Sequence, residues 1–134
     1  MRRWAAVFLV SALAMAAPAT IQPDPLENPG FQHFYNLEYD EALAVFDAQA
    51  AKDPMSPEIQ NYIATTVLFR QMLRTGALGS DLITAANSFL SRPKMPMGAA
   101  DQKLFTDSIV RAINLAEARL KNDPREVAAM YALG

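Results

Sequence analysis

Across residues 30–54, small side chains, large rings and a terminal proline come in an order that leaves the chain few ways to fold. Gly30, Phe34, Tyr39, Ala42, Phe46 and Pro54 supply them in turn. Small residues let two helices approach closely, rings fill the space beside them, and proline stops one unit before the next begins. The ending of this unit returns later: Ala42 stands twelve residues before Pro54, and Ala112 twelve before Pro124. This spacing predicts an all-α chain of antiparallel helix-turn-helix units stacked on one another.

Local signals mark the individual helices. Pro29 behind Asn28 starts a short helix on which Phe31, Phe34 and Tyr35 share one face. Asp40 is placed to cap the next, where Ala42, Val45, Phe46, Gln49 and Ala50 recur at helical spacing up to Asp53-Pro54. Ser56-Pro57-Glu58 combines a capping hydroxyl, a first-turn proline and an acid favoured by the helix dipole. The helix it opens runs to about Arg74, with so little polar face that it is expected to be covered on more than one side. Gly76 and Gly79 break it, and Ser80 caps a shorter helix bearing Leu82, Ile83, Ala86, Phe89 and Leu90. After a proline-containing loop over 92–98, another helix begins at Ala99 or Asp101 and ends at Asn122. Asp123-Pro124-Arg125-Glu126 then reads as a capping box.

Tyr39-Asp40-Glu41-Ala42-Leu43, then Phe46, then Asp53-Pro54 resembles the second half of a tetratricopeptide repeat (TPR). Ala112, Leu120 and Asp123-Pro124 match again, and Met130, Tyr131, Leu133 and Gly134 fit the opening of a further unit. The chain departs from the family at Leu26, where tryptophan is favoured, and at Pro29, where leucine is, so the first helix is expected to be short. The resemblance implies a TPR-like α-solenoid over 29–134. Its first repeat is 29–54, its second helix pair 57–122, and 124–134 starts a truncated repeat. Uninterrupted repeats would place the alanine after Ala42 at position 76, yet it stands at Ala112. Either 78–98 is an insert between two paired helices or it is a degenerate repeat; Ile63-Ala64, where a close-packing pair is due, favours the insert. Val127, Met130, Tyr131 and Leu133 are not the polar cap that ends such an array, so a longer protein or a covering partner is expected.

The first nineteen residues are of another kind. Arg2 and Arg3 precede an apolar run over 4–17, and Ala17-Pro18-Ala19 offers a small-x-small cleavage point, with Ala14-Met15-Ala16 as the competitor. This reads as a signal peptide over 1–19, its apolar run shorter than the ~20 residues that span a bilayer, with an uncleaved anchor as the alternative. Residues 20–28, interrupted by Pro23 and Pro25, form an extended linker. The expected location is the periplasm or cell envelope, with membrane contact only through the signal segment. The absence of cysteine excludes both a lipid anchor and a disulfide staple, so stability must come from packing.

Composition excludes several functions. The net charge is −2, and becomes −4 once Arg2 and Arg3 leave with the leader, which gives nucleic acid nothing to bind. His33 is the only histidine, which rules out a two-histidine metal site and leaves a nucleophile without its usual base. Glu38, Asp40 and Glu41 cluster at a helix start, where acids cap helices and face water. Met95 and Met97, around Pro96, read as core filling rather than a soft-metal loop. No cofactor, metal or catalytic set is expected.

In the family, the first helices of successive repeats line a concave groove that takes a peptide or a helix. The resemblance carries that role to Phe31, Phe34 and Tyr35, with Tyr62, Thr66 and Phe69 as neighbours. The lysine and asparagine with which one branch grips carboxyl termini are replaced here by Glu27 and Phe31. The leading expectation is therefore an exported scaffold that binds a protein or peptide partner and catalyses nothing. The alternatives are an adaptor attached to an enzyme domain beyond residue 134, and a self-associating array.

Overall fold

The computed structural model describes residues 27–78 and 95–134. Among them the chain is all-α, with five helices and no strand. The expected leader, most of the expected linker, and residues 79–94 of the expected 78–98 insert, with the helix expected after Ser80, lie outside the described residues.

Helix α1 is Pro29–Tyr35, opened by the Asn28 side chain accepting from the Gly30 amide at 2.9 Å. It closes with two reverse bonds, from the Leu37 amide to the Phe34 carbonyl and from the Glu38 amide to the His33 carbonyl. Leu37 takes the left-handed conformation this motif needs, φ 65°, where glycine is the usual occupant. The chain reverses into α2, Tyr39–Lys52. Its N-cap is Glu38, which makes no side-chain cap bond, so Asp40 lies inside the first turn instead of capping it. The three-residue reversal starts the helix two residues earlier than the sequence signal, and leaves Asp40 free to pair elsewhere.

Helix α3, Pro57–Arg74, begins where its signals place it, with Ser56 Oγ accepting from the Ile59 amide at 3.3 Å. It ends in the same reverse-bond motif as α1, this time with Gly76 at φ 70°. Helix α4 is Ala99–Asn122 and α5 is Val127–Leu133. The expected capping box before α5 does not form. The Asp123 carboxylate accepts from the Arg125 amide at 3.0 Å, and the Glu126 carboxylate turns to Arg119. A partner with full charge across the helix junction wins over the weaker bond back to an amide.

Two turns have the same construction. In each Asp-Pro turn the aspartate side chain accepts from the amide two residues on, Met55 or Arg125, and its carbonyl from the amide three on, Ser56 or Glu126. Each leads into a helix, α3 and α5.

Charged pairs fix how the helices lie. Arg70 and Arg74, at the end of α3, pair with Asp101 at the start of α4, at 2.8 and 3.2 Å. Glu58, at the start of α3, pairs with Arg119 near the end of α4. The two helices are thus antiparallel. Arg70 also pairs with Asp40, which ties the start of α2 to the same junction. Gln71 donates to the Pro96 carbonyl and holds the entry to α4 against α3.

The core sits between α2 and α3, built on Ala42, Leu43, Phe46, Ile63 and Val67, with Leu104 and Phe105 of α4 packed against it. The helices come close because their contact positions are small: Gly30, Ala42, Ala64, Ala112, Ala116 and Ala129 are all buried. A β-carbon on Gly30 would fall 2.4 Å from the Phe46 ring. Helix α2 packs on α1 and α3, α4 on α3, and α5 on both α3 and α4. Among the described residues no helix is long and apolar enough to cross a membrane.

Candidate binding groove

Ring contacts join α1 to α3. Phe31 meets Tyr62 edge to face with centroids 4.7 Å apart, and Phe34 meets Phe69 at 5.2 Å. Both pairs have footings in α2: Phe46 lies 5.2 Å from Phe31 and 5.4 Å from Tyr62, and Tyr39 lies 5.3 Å from Phe34. The edge-to-face pairs among these, Phe31 with Tyr62, Phe31 with Phe46 and Phe34 with Tyr39, hold rings in one orientation as well as burying them. The six residues singled out in the sequence therefore have different positions. Phe31, Phe34, Tyr62 and Phe69 form a half-buried seam, and Tyr35 stands beside it, 61% exposed. Thr66 lies beneath, fully buried, its hydroxyl donating to the Tyr62 carbonyl at 2.7 Å. It presents no atom at the surface.

The seam opens into a depression at each end. One, of about 620 Å³, is apolar and lies against the C-terminal ends of α1 and α3, walled by Phe34, Tyr35, Leu37, Phe69 and Leu73. The other, of about 880 Å³, lies against their N-terminal ends and reaches across to α5. Its walls mix rings, carboxylates and amides: Phe31 from α1, Glu58, Asn61 and Tyr62 from α3, Tyr131 from α5, and Glu27 at its rim. Phe31 and Tyr35 are one helical turn apart, and Tyr62 and Phe69 two turns, so both depressions belong to one face.

Hydrogen bonds stiffen the larger depression. Gln49 and Asn28 exchange amide bonds, the Gln49 donation measuring 2.9 Å, and Asn61 donates to the Ala132 carbonyl at 2.8 Å, which pins α5 to α3. Arg119 reaches both Glu58 oxygens, at 3.1 and 3.2 Å, and pairs with Glu126 as well. The bond to Glu126 first, and then Glu58, hold that guanidinium more firmly protonated than usual. Burial and, after it, the nearby Glu58 charge raise the Tyr62 hydroxyl above its ordinary value.

Glu58, Asn61 and Tyr131 were not among the residues expected from sequence. Glu58, Asn61 and Tyr62 do follow the i, i+3, i+4 spacing of one helical face, but the acid also satisfies the helix dipole, and that reading hid its second position on the groove wall. His33 pairs with Glu38 at 2.6 Å across the turn after α1. Met97 packs against the core. Among the described residues no three His, Cys, Asp or Glu side chains are placed to hold a metal ion. Compared with family models, curated proteins and solved structures, the chain finds no match.

Proposed function

We propose that this chain is an exported TPR-like scaffold that holds an extended segment of another protein along the face made by α1, α3 and α5, and that it carries no catalysis of its own. One observation carries the reading: the face has half-buried rings at its centre and exposed ones, Tyr35 and Tyr131, at 61% and 81% exposure, beside its two depressions. Fixed aromatic surface with polar atoms at its margin suits a peptide, whose backbone needs hydrogen bonds and whose side chains need pockets. The repeated Asp-Pro turn and the buried small residues support the TPR-like part of the proposal, since each turn leads into a helix that walls the groove. Residues 1–19 support export.

The test is fluorescence anisotropy with a labelled pool of degenerate heptapeptides and the full chain. Binding is expected, weakened about tenfold when Tyr35 and Tyr131 are both changed to alanine, and unchanged for Glu117→Ala on the exposed side of α4. No binding, or equal loss in all variants, overturns the reading.

A further inference from the structure

The two ends of the face differ in charge. The smaller depression is walled by apolar side chains, whereas the larger is bordered by Glu27 and Glu58 and, among the described residues, by no lysine or arginine. Arg119 does not cancel this charge, because a single guanidinium is shared between Glu58 and Glu126. Glu58 accepts from Arg119 at both oxygens and from the Ser56 hydroxyl, whereas Glu27 is exposed and in no ion pair among the described residues, so Glu27 is the carboxylate open to a further cation. Glu27 and Tyr131 are both exposed, and neither contributes to the core cluster. Phe31, Tyr62 and Tyr131 line the same space.

Resting on the groove reading, we propose that this end takes a positively charged side chain, lysine or arginine, of an extended peptide, held by the Glu27 and Glu58 carboxylates and laid against the rings of Phe31, Tyr62 and Tyr131. A cation gains twice there, from the open Glu27 carboxylate beside the Glu58, Arg119 and Glu126 cluster, in which two acids share one base, and from the aromatic rings. An acidic side chain meets repulsion from both. A leucine fills the space but leaves the carboxylates as they were. The opposite, apolar end accepts the hydrophobic part of the same segment, which sets a direction along the groove.

The probes are four fluorescent hexapeptides, identical except for one central residue, which is lysine, acetylated lysine, leucine or glutamate. Each is titrated against the full chain by anisotropy. The lysine peptide is expected to bind about three- to tenfold more tightly than the acetylated or leucine peptide, and the glutamate peptide most weakly. Raising salt to about 0.5 M is expected to erase the lysine preference. Glu27→Gln and Tyr131→Ala, both at exposed positions, are each expected to reduce it. If acetylated lysine or leucine binds as well as lysine, or if the preference survives both variants, the cation proposal is overturned while the groove reading stands. If none of the four peptides binds, both fall.

Discussion

A single hydrogen atom in place of a methyl group decides how α1 meets α2. The Gly30 α-carbon lies under the Phe46 ring, and three ring carbons fall within 2.8 Å of where a β-carbon would stand. Gly30→Ala is expected to cost about 1–3 kcal/mol, read by thermal melts, and Phe46→Leu in the same chain is expected to restore part of that loss. Additive losses would show that the two residues do not touch. Leu37 presents the opposite case. It occupies a left-handed position at no evident gain in burial, being 53% exposed. Leu37→Gly is expected to raise stability by about 0.5–1.5 kcal/mol in the same melts. The contrast between these residues shows what could be read from sequence. Gly30 and Ala42 announce a close contact through their size and spacing, whereas nothing in the side chain of Leu37 announces its backbone angle.

Helix boundaries were legible where a residue's partners lie in its own first turn. Ser56 accepts from the Ile59 amide and donates to the Glu58 carboxylate, and the helix starts where expected. Ser56→Ala is expected to cost about 1 kcal/mol by denaturant titration. Asp40 and Glu126 had better partners in other helices, Arg70 and Arg119, that adjacent sequence could not reveal. Tertiary charge pairing overrode the local caps, and the same pairing positions the groove. Arg119 joins the start of α3 to the start of α5 through two carboxylates. Arg119→Met is expected to speed amide hydrogen exchange in α5 several-fold, while exchange in α2 stays as it was. Equal acceleration in both helices would mean that the pair supports the whole chain and not that joint. Phe31 and Phe34 were legible as one face from helical spacing, whereas Tyr62 and Phe69 came through the family resemblance, which also carried the groove role to Thr66, a residue on the inward side. A residue on the edge of a helical stripe can turn either way, and its hydroxyl found the Tyr62 carbonyl.

At the scale of the molecule, the rings that join the helices also line the proposed groove. Burial raises the hydroxyls of Tyr39 and Tyr62 above their ordinary value of 10.0, with Glu58 adding to the effect at Tyr62. Because the folded state prefers their neutral form, this contribution is fully present below pH 10 and is lost as pH rises through the higher folded values. Melting temperature is therefore expected to fall above pH 10, and Tyr62→Phe to make that fall shallower. A fall of unchanged steepness would place the alkaline sensitivity elsewhere. The proposed binding face crosses α1, α3 and α5, apolar at one end and bordered by Glu27 and Glu58 at the other. Amide chemical-shift mapping of the isotope-labelled chain during titration with the lysine hexapeptide locates the contact. Shifts confined to Glu27, Phe31, Asn61, Tyr62, Tyr131 and their neighbours are expected. Shifts gathered on the exposed sides of α2 and α4, with these residues unmoved, would mean that the groove is not where this protein binds.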